Sequence, residues 1–237
     1  MTYKQILITG VSSGLGNGLA RAFLENGSEV YGCSRRRPEE LIDLGLNHLS
    51  IDLNNENDSA PAFKNWISKL GHIDLLILNA GVLCEIKDMR DCQIKELKKI
   101  MEINLWSNKW ILDSCLRGNK SVGQVVGISS GASLSGSRGW NGYSISKAAL
   151  NMLIKLYSGE CPETHFTSLA PGLVDTAMQD YLTSLPCDER YPPIKILKKA
   201  KGTKEMPDGY DCANKLINIF PKLISLESGS YADIRKL

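Results

Sequence analysis

The sequence predicts an α/β protein built on one doubly wound parallel sheet with helices on both faces, and three observations carry that prediction. Short apolar runs alternate with helix-like patterns from one end of the chain to the other. The first run, Lys4-Gln5-Ile6-Leu7-Ile8-Thr9, passes into a glycine-rich turn and then into Leu19, Ala20, Phe23 and Leu24, spaced as on one helix face. The residues suited to chemistry fall where the strands end, and ligands of such sheets bind there, where the strand order reverses.

Taken in order, strand one leads to Gly10-Val11-Ser12-Ser13-Gly14-Leu15-Gly16. Gly10 permits a tight turn, Gly14 lets a pyrophosphate approach the backbone, and Gly16 allows close packing of helix on strand, while the helix N-terminus offers N–H donors to phosphate. Strand, glycine turn and helix together form the layout of a dinucleotide-binding unit. Further strands are expected at 29–33, 48–52, 73–78, 124–128, 166–170 and 230–233, and helices at 60–70, 94–116, 143–157 and 210–220. No repeat, low-complexity segment or linker divides the chain, so residues 1–237 are expected to form a single domain. One irregular stretch, 179–207, is broken by Pro186, Pro192 and Pro193, and a loop this long reads as a lid over a substrate. Lys195, Lys198, Lys199 and Lys201 would be the wet face of a short helix within it.

Composition narrows the partners. The 28 basic and 26 acidic residues nearly cancel, which implies no strong pull toward nucleic acid or a membrane surface and leaves a small molecule as the expected partner. The seven cysteines, at 33, 84, 92, 115, 161, 187 and 212, are odd in number and scattered without a C-x-x-C pair, so they read as reduced thiols rather than a disulfide framework or zinc site. His48, His72 and His165 have no ligand-like spacing, and no metal is expected. The chain runs straight into strand one and has no apolar stretch near the ~20 residues that span a bilayer; a cytoplasmic location is expected.

Tyr143-Ser144-Ile145-Ser146-Lys147 puts a phenol and an ammonium one helical turn apart on the same face. A nearby cation favours the phenolate, so Tyr143 is a candidate general acid with a lowered pKa. Together with Thr9-Gly10-x-x-x-Gly14-x-Gly16, Asn79-Ala80-Gly81, Asn104, Ser130 and Pro171-Gly172, this motif set resembles, in order and over essentially the whole chain, the short-chain dehydrogenase/reductase family. Gly139-Trp140-Asn141-Gly142-Tyr143 and the run from Pro171 through Asp175 to Gln179 look like the sepiapterin reductase and benzil reductase branch.

The resemblance implies a Rossmann-type fold and an oxidoreductase moving hydride between a nicotinamide and a small carbonyl or alcohol substrate. Tyr143 would protonate the carbonyl oxygen, with Ser130 hydrogen-bonding the same oxygen. Ser129 competes for that role; Ser130 is preferred because the family usually places this serine 13 residues before the tyrosine. Lys147 would lower the phenol pKa and bind the nicotinamide ribose, and Asn104 would hold water linking Lys147 to solvent. Asp52 and Leu53 would contact adenine, although Asp52 could equally cap a strand end; Asn79 to Gly81 would line the cofactor channel, and Pro171, Val174 and Thr176 would cover the nicotinamide. Family members usually pair helices corresponding to 94–116 and 143–157 across a two-fold axis, so a homodimer or homotetramer is expected.

The end of strand two bears on the cofactor. An NAD site calls for an acid about 20 residues past the glycines, whereas the chain has Ser34-Arg35-Arg36-Arg37 with no acid before Glu39. Arg35 is placed on a 2′-phosphate, with Arg36 or Arg37 assisting, which favours NADP over NAD; a solvated basic turn is the alternative. Many NADP-dependent relatives also carry a basic residue where this chain has Ser12 and Ser13. Two further alternatives stand beside the reductase reading. Gly127-Ile128-Ser129-Ser130-Gly131 fits a hydrolase elbow, but 132–139 is too rich in Gly and Ser for the helix it needs, and His165 is the one histidine that follows. A non-catalytic NADP-binding regulator on the same fold would have little reason to keep Asn104, Ser130, Tyr143 and Lys147 together.

Overall fold

The computed structural model describes residues 3–117 and 121–237. Seven strands, β1 (Gln5–Thr9), β2 (Glu29–Ser34), β3 (Asn47–Ser50), β4 (His72–Leu78), β5 (Ser121–Ile128), β6 (His165–Ala170) and β7 (Ser230–Asp233), form one sheet in the order β3-β2-β1-β4-β5-β6-β7. Every neighbouring pair is parallel, with Ile6 opposite Leu75, Leu76 opposite Val125 and Val126 opposite Thr167. The chain winds outward from β1 to β3, then returns to β4 and winds the other way. Between the carboxyl ends of β1 and β4 the connections diverge, and that divergence opens a crevice.

The helices are α1 (Gly14–Glu25), α2 (Glu39–Asp43), α3 (Glu56–Trp66), α4 (Ile94–Met101), α5 (Ser107–Leu116), α6 (Ala132–Ser135), α7 (Asn141–Glu160), α8 (Ala177–Ser184), α9 (Pro192–Ala200), α10 (Gly209–Leu216) and α11 (Phe220–Leu223). Strand residues alternate between two cores because successive side chains point to opposite faces. Ile6, Ile8, Leu75 and Ile77 pack with Leu19, Phe23, Leu216 and Phe220 from α1, α10 and α11. Leu7, Leu76 and Leu78 pack with Phe63, Ile111 and Ile154 from α3, α5 and α7. Burial on both faces explains why β4 reads as the nearly unbroken run Ile73-Asp74-Leu75-Leu76-Ile77-Leu78.

One contact fixes α1 against α10. A Cβ on Gly18 would lie 2.1 Å from the Gly209 carbonyl oxygen, and one on Gly209 would lie 2.4 Å from the Gly14 oxygen. Neither backbone can yield without moving its helix. Gly18→Ala is therefore expected to destabilise the protein by roughly 1–3 kcal/mol or more, as overpacking does. A lowered urea midpoint with unchanged slope would register it.

Several expected boundaries shift. The helix foreseen at 60–70 begins at Glu56, because the Asn55 side chain accepts from the Asp58 N–H and caps it; Pro61 sits inside the helix rather than at its start. The span 94–116 is helical throughout but contains a wide π turn at Glu102–Trp106. Residues 179–207 are not an irregular loop, since α8 and α9 occupy most of them. Pro192 and Pro193 open α9, where a missing N–H costs nothing, and the prolines that suggested a break instead mark a start. Lys195 and Lys199 face outward from α9 as expected, while Lys201 just beyond it pairs with Asp175 and Asp180. A short helix, α6, also lies within the 132–139 stretch.

Candidate active site

The floor of the crevice is the glycine turn. Gly10 takes φ +78°, and a Cβ there would come within 2.9 Å of the Ala80 backbone; a Cβ on Gly16 would lie 2.3 Å from the Gly10 oxygen. Asn79 laces the ends of β1 and β4 together, donating from Nδ2 to the carbonyls of Thr9 (2.9 Å) and Gly10 (3.3 Å), while Thr9 Oγ1 accepts from the N–H groups of Asn79 and Ala80 (3.0 Å each). Ser13, the N-cap of α1, makes no side-chain cap bond. Bare backbone and leading N–H groups without a side-chain cap at a twelve-residue helix suit a pyrophosphate, so these residues fit a dinucleotide. Thr176 closes over the turn, its methyl 3.0 Å from where a Gly14 Cβ would be.

Beside this floor a cleft of ≈ 470 Å³ is lined by Gly10, Ser13, Gly14, Leu15, Gly16, Asn79, Ser130, Tyr143, Lys147, Pro171, Val174 and Thr176, all of them foreseen in the sequence. The arginine run stands outside its lining. Arg35 is exposed and makes no ion pair among the described residues, Arg36 Nη2 reaches Ser13 Oγ at 3.5 Å, and Arg37 is engaged by Glu39 at 3.1 Å. Ser12 also lies off the lining, partly buried in the turn. Asp52 Oδ1 accepts from Asn54 N–H (3.0 Å) just past β3, as a strand-end cap would, and Leu53 is buried in the core. Neither lines the cleft.

Tyr143 and Lys147 come from the first two turns of α7, which runs beneath the ends of β5 and β6. Ser130 and Tyr143 line the same part of the cleft, and the Ser130 hydroxyl is near enough to favour the phenolate. Lys147 is buried, donates from Nζ to the Ile128 carbonyl at 2.7 Å, and lies 5.8 Å from the centroid of the Tyr143 ring. Burial pushes the phenol above its ordinary value, with the neighbouring Ser130 hydroxyl only partly offsetting it, and draws the ammonium down from 10.5 to about 8. The expected lowering of the phenol by Lys147 is thus not what this geometry produces. Desolvation penalises both charged forms, and the nitrogen is held by a carbonyl rather than turned to the phenol oxygen.

Asn104 sits in the π turn and is fully buried. Its Oδ1 accepts from Val82 N–H (2.8 Å), and its Nδ2 donates to the Val82 carbonyl (2.9 Å) and to Ser146 Oγ (2.9 Å). It therefore ties the loop after β4 to α7 rather than bonding to its own turn, and π turns recur at functional sites for this kind of re-aiming. A Cβ on Gly81 would meet both Asn104 Oδ1 and Lys147 Nζ at 3.4 Å, which places those two polar groups around one point.

Ser129 is withdrawn from the cleft's chemistry: it is buried and donates to Asn151 Oδ1 at 2.6 Å, while Asn151 Nδ2 donates to Ser133 Oγ at 3.0 Å. His165 opens β6 opposite Gln124, five residues before Ser129, or roughly 16 Å along a strand at ~3.3 Å per residue. A hydrolase triad cannot assemble across that distance. No group of three or more His, Cys, Asp or Glu placed to hold a metal ion occurs among the described residues, nor any helix long and apolar enough to cross a membrane.

The far wall was foreseen only where the lid at 179–207 supplies it, through Leu182 and Leu197. Trp140, Leu83, Met178, Leu182 and Leu197 line it and belong to a third apolar cluster built from α8, α9 and the loops after β4 and β5. The apolar period of α9 was the available signal, obscured by its lysines and prolines. Arg235, beyond β7, also reaches the cleft. Nothing in its local sequence marks it.

Comparison with known proteins agrees with the geometry. The family model described as short chain dehydrogenase matches residues 4–185. A benzil reductase ((S)-benzoin forming) of Saccharomyces cerevisiae is 32% identical over 199 residues, covering 74% of this chain and 73% of its own. Another of the same description, from Bacillus subtilis, is 28% identical over 244 residues, covering 97% and 98%. A crystal structure of a short chain dehydrogenase/reductase from Saccharomyces cerevisiae superposes with a TM-score of 0.82 at 24% identity, over 97% of this chain and 95% of that one. The chain is a member of the short-chain dehydrogenase family of oxidoreductases, within which it is similar to benzil reductases.

Proposed function

We propose that this protein is an NADPH-dependent carbonyl reductase in which Tyr143 is the general acid and Ser130 the oxyanion partner. The observation that carries this reading is the meeting of Ser130, Tyr143 and Lys147 in one cleft whose floor is the bare glycine turn. The dihydronicotinamide, when bound, supplies hydride to the carbonyl carbon. Ser130 donates to the carbonyl oxygen and spreads its developing charge. Tyr143, whose burial further favours the neutral phenol, delivers the proton. Lys147 binds the ribose and stabilises the phenolate once it forms, and Asn104 fixes the loop and helix on either side of it. Pro171, Val174 and Thr176 cover the nicotinamide. The segment from α8 through α9 acts as the lid, its apolar inner face excluding water from the substrate, within a chain that works as one domain.

The preference for NADP rests on Arg35 and Arg36. Both are exposed and neither makes an ion pair among the described residues, Arg36 reaches Ser13 of the glycine turn, and no acid takes the ribose position before Glu39. Arg35→Ala is expected to weaken NADPH binding by on the order of ten- to hundredfold, the loss of one charge-assisted hydrogen bond, while leaving NADH binding nearly unchanged. Titrating both cofactors into wild type and variant decides it. Equal weakening of both, or a wild type that prefers NADH, overturns the assignment.

The chain is also read as a homodimer or homotetramer. Ile94, Trp106, Ile145, Met152 and Leu156 are exposed on α4, the π turn and α7, and pairing these helices across a two-fold axis would cover them. Sedimentation is expected to show a dimer or larger at micromolar concentration, and a stable monomer would contradict it.

A further inference from the structure

The cleft has a charge pattern that hydride transfer to a neutral ketone does not require. Its lining includes no Asp or Glu, and its charged members among the described residues are Lys147 and Arg235. Lys147 is committed to the ribose in the reading above. Arg235 is left over, on the substrate side.

Its position is specific. Arg235 Nη2 lies 3.4 Å from the point a Cβ on Gly131 would occupy, and Gly131 directly follows the oxyanion residue Ser130. Asp233, at the end of β7 and only 7% exposed, fixes the guanidinium: Oδ1 accepts from the Arg235 N–H (3.0 Å) and from Nε (2.9 Å), and Oδ2 accepts from Nη2 (2.6 Å). Two of the five guanidinium donors are thereby used to aim the group, and Nη1 and the second Nη2 hydrogen remain for a ligand. Solvent reaches this edge, since the side chain is 62% exposed. The same lining includes the apolar side chains of Leu83, Trp140, Met178 and Leu182.

We propose that Arg235 is a specificity-determining residue that receives the carboxylate of a keto-acid substrate, whose apolar body lies against Trp140 and Leu182. The proposal rests on the reductase reading and names the substrate class of the same site. The guanidinium lies against Gly131, the residue next to Ser130 in the chain, so a carboxylate on it sits within a few bonds of the reacting carbonyl. A planar fork matches a carboxylate where a lone ammonium would not. Because Asp233 offsets much of the charge, the gain comes from directed hydrogen bonds rather than long-range attraction. A preference of tens-fold, not thousands-fold, is the scale to expect.

The test pairs phenylglyoxylate with its methyl ester, which share the ketone and ring and differ in the charge. Wild type is expected to favour the acid in kcat/KM by at least tenfold. Arg235→Gln, which keeps a donor for Asp233, should lose about ten- to hundredfold for the acid, mainly in KM, with the ester within about twofold of wild type. Arg235→Lys should recover part of the loss. A wild type that favours the ester, or equal losses for acid and ester in Arg235→Gln, would overturn the proposal while leaving the reductase reading intact. Calorimetric titration of phenylglyoxylate into Tyr143→Phe protein with NADP+ gives a readout independent of turnover. Binding there that Arg235→Gln weakens tenfold or more supports the anion site even if no turnover is found, whereas unchanged binding overturns it.

Discussion

Tyr143→Phe is expected to lower turnover by ~10²-fold or more while leaving NADPH affinity little changed. The substitution deletes one oxygen and keeps the ring packed against the third apolar cluster, so the lost term is proton donation at the transition state rather than binding. The same kinetics separate Tyr143 from Ser130. Ser130→Ala should also reduce kcat, through a lost donor to the developing oxyanion. Stopped-flow measurement of NADPH oxidation, with cofactor affinity read by fluorescence, distinguishes these effects. Retention of most activity by Tyr143→Phe would remove the phenol from the mechanism.

Lys147→Met is expected to abolish most turnover and yet stabilise the cofactor-free protein near pH 7. Lys147 is buried with the Ile128 carbonyl as its partner, and its fall from 10.5 to about 8 corresponds to about 3 kcal/mol of cost for holding the charged form in the fold. Below about pH 8 folded and unfolded chains both carry the proton, and the folded state bears the full cost. Between about 8 and 10.5 the unfolded chain holds a proton that the folded chain has released, so wild-type stability rises with pH across that window. The variant has no such group, so the difference between the two should shrink as pH rises from 8 to 10.5. Urea unfolding of both proteins at pH 7 and pH 10 measures it. A variant less stable than wild type at pH 7 would mean that Lys147 finds compensation its surroundings do not show.

Much of this arrangement was legible in the residues because its causes are local. Gly10, Gly14 and Gly16 declare a turn that no side chain could occupy, and the unbroken apolar run of β4 declares a strand covered on both faces. Tyr143 and Lys147 declare themselves by helical spacing. The parts that were not legible depend on what the fold brings together. Arg235 reaches the cleft because the long side chain just past β7, two strands over from β5, extends to Gly131, roughly a hundred residues away in the chain. Pro192 and Pro193 have the same fixed φ whether they break an element or begin one, and packing of Ile194 and Leu197 against Trp140 decides in favour of α9. The direction of the Tyr143 shift was misjudged because sequence spacing shows the neighbouring cation but not the burial that outweighs it, nor the carbonyl that holds the cation.

The most direct test of the central claim follows the hydride itself. NADPH carrying deuterium at the transferable position of the nicotinamide is incubated with wild-type protein and an aromatic vicinal dicarbonyl, and the product is analysed by mass spectrometry and proton NMR. The account predicts one deuterium on the former carbonyl carbon, a single enantiomer of the alcohol, and loss of at least ~10²-fold of that product in Tyr143→Phe. An alcohol carbon free of label, or label transferred equally well without the Tyr143 hydroxyl, would contradict it.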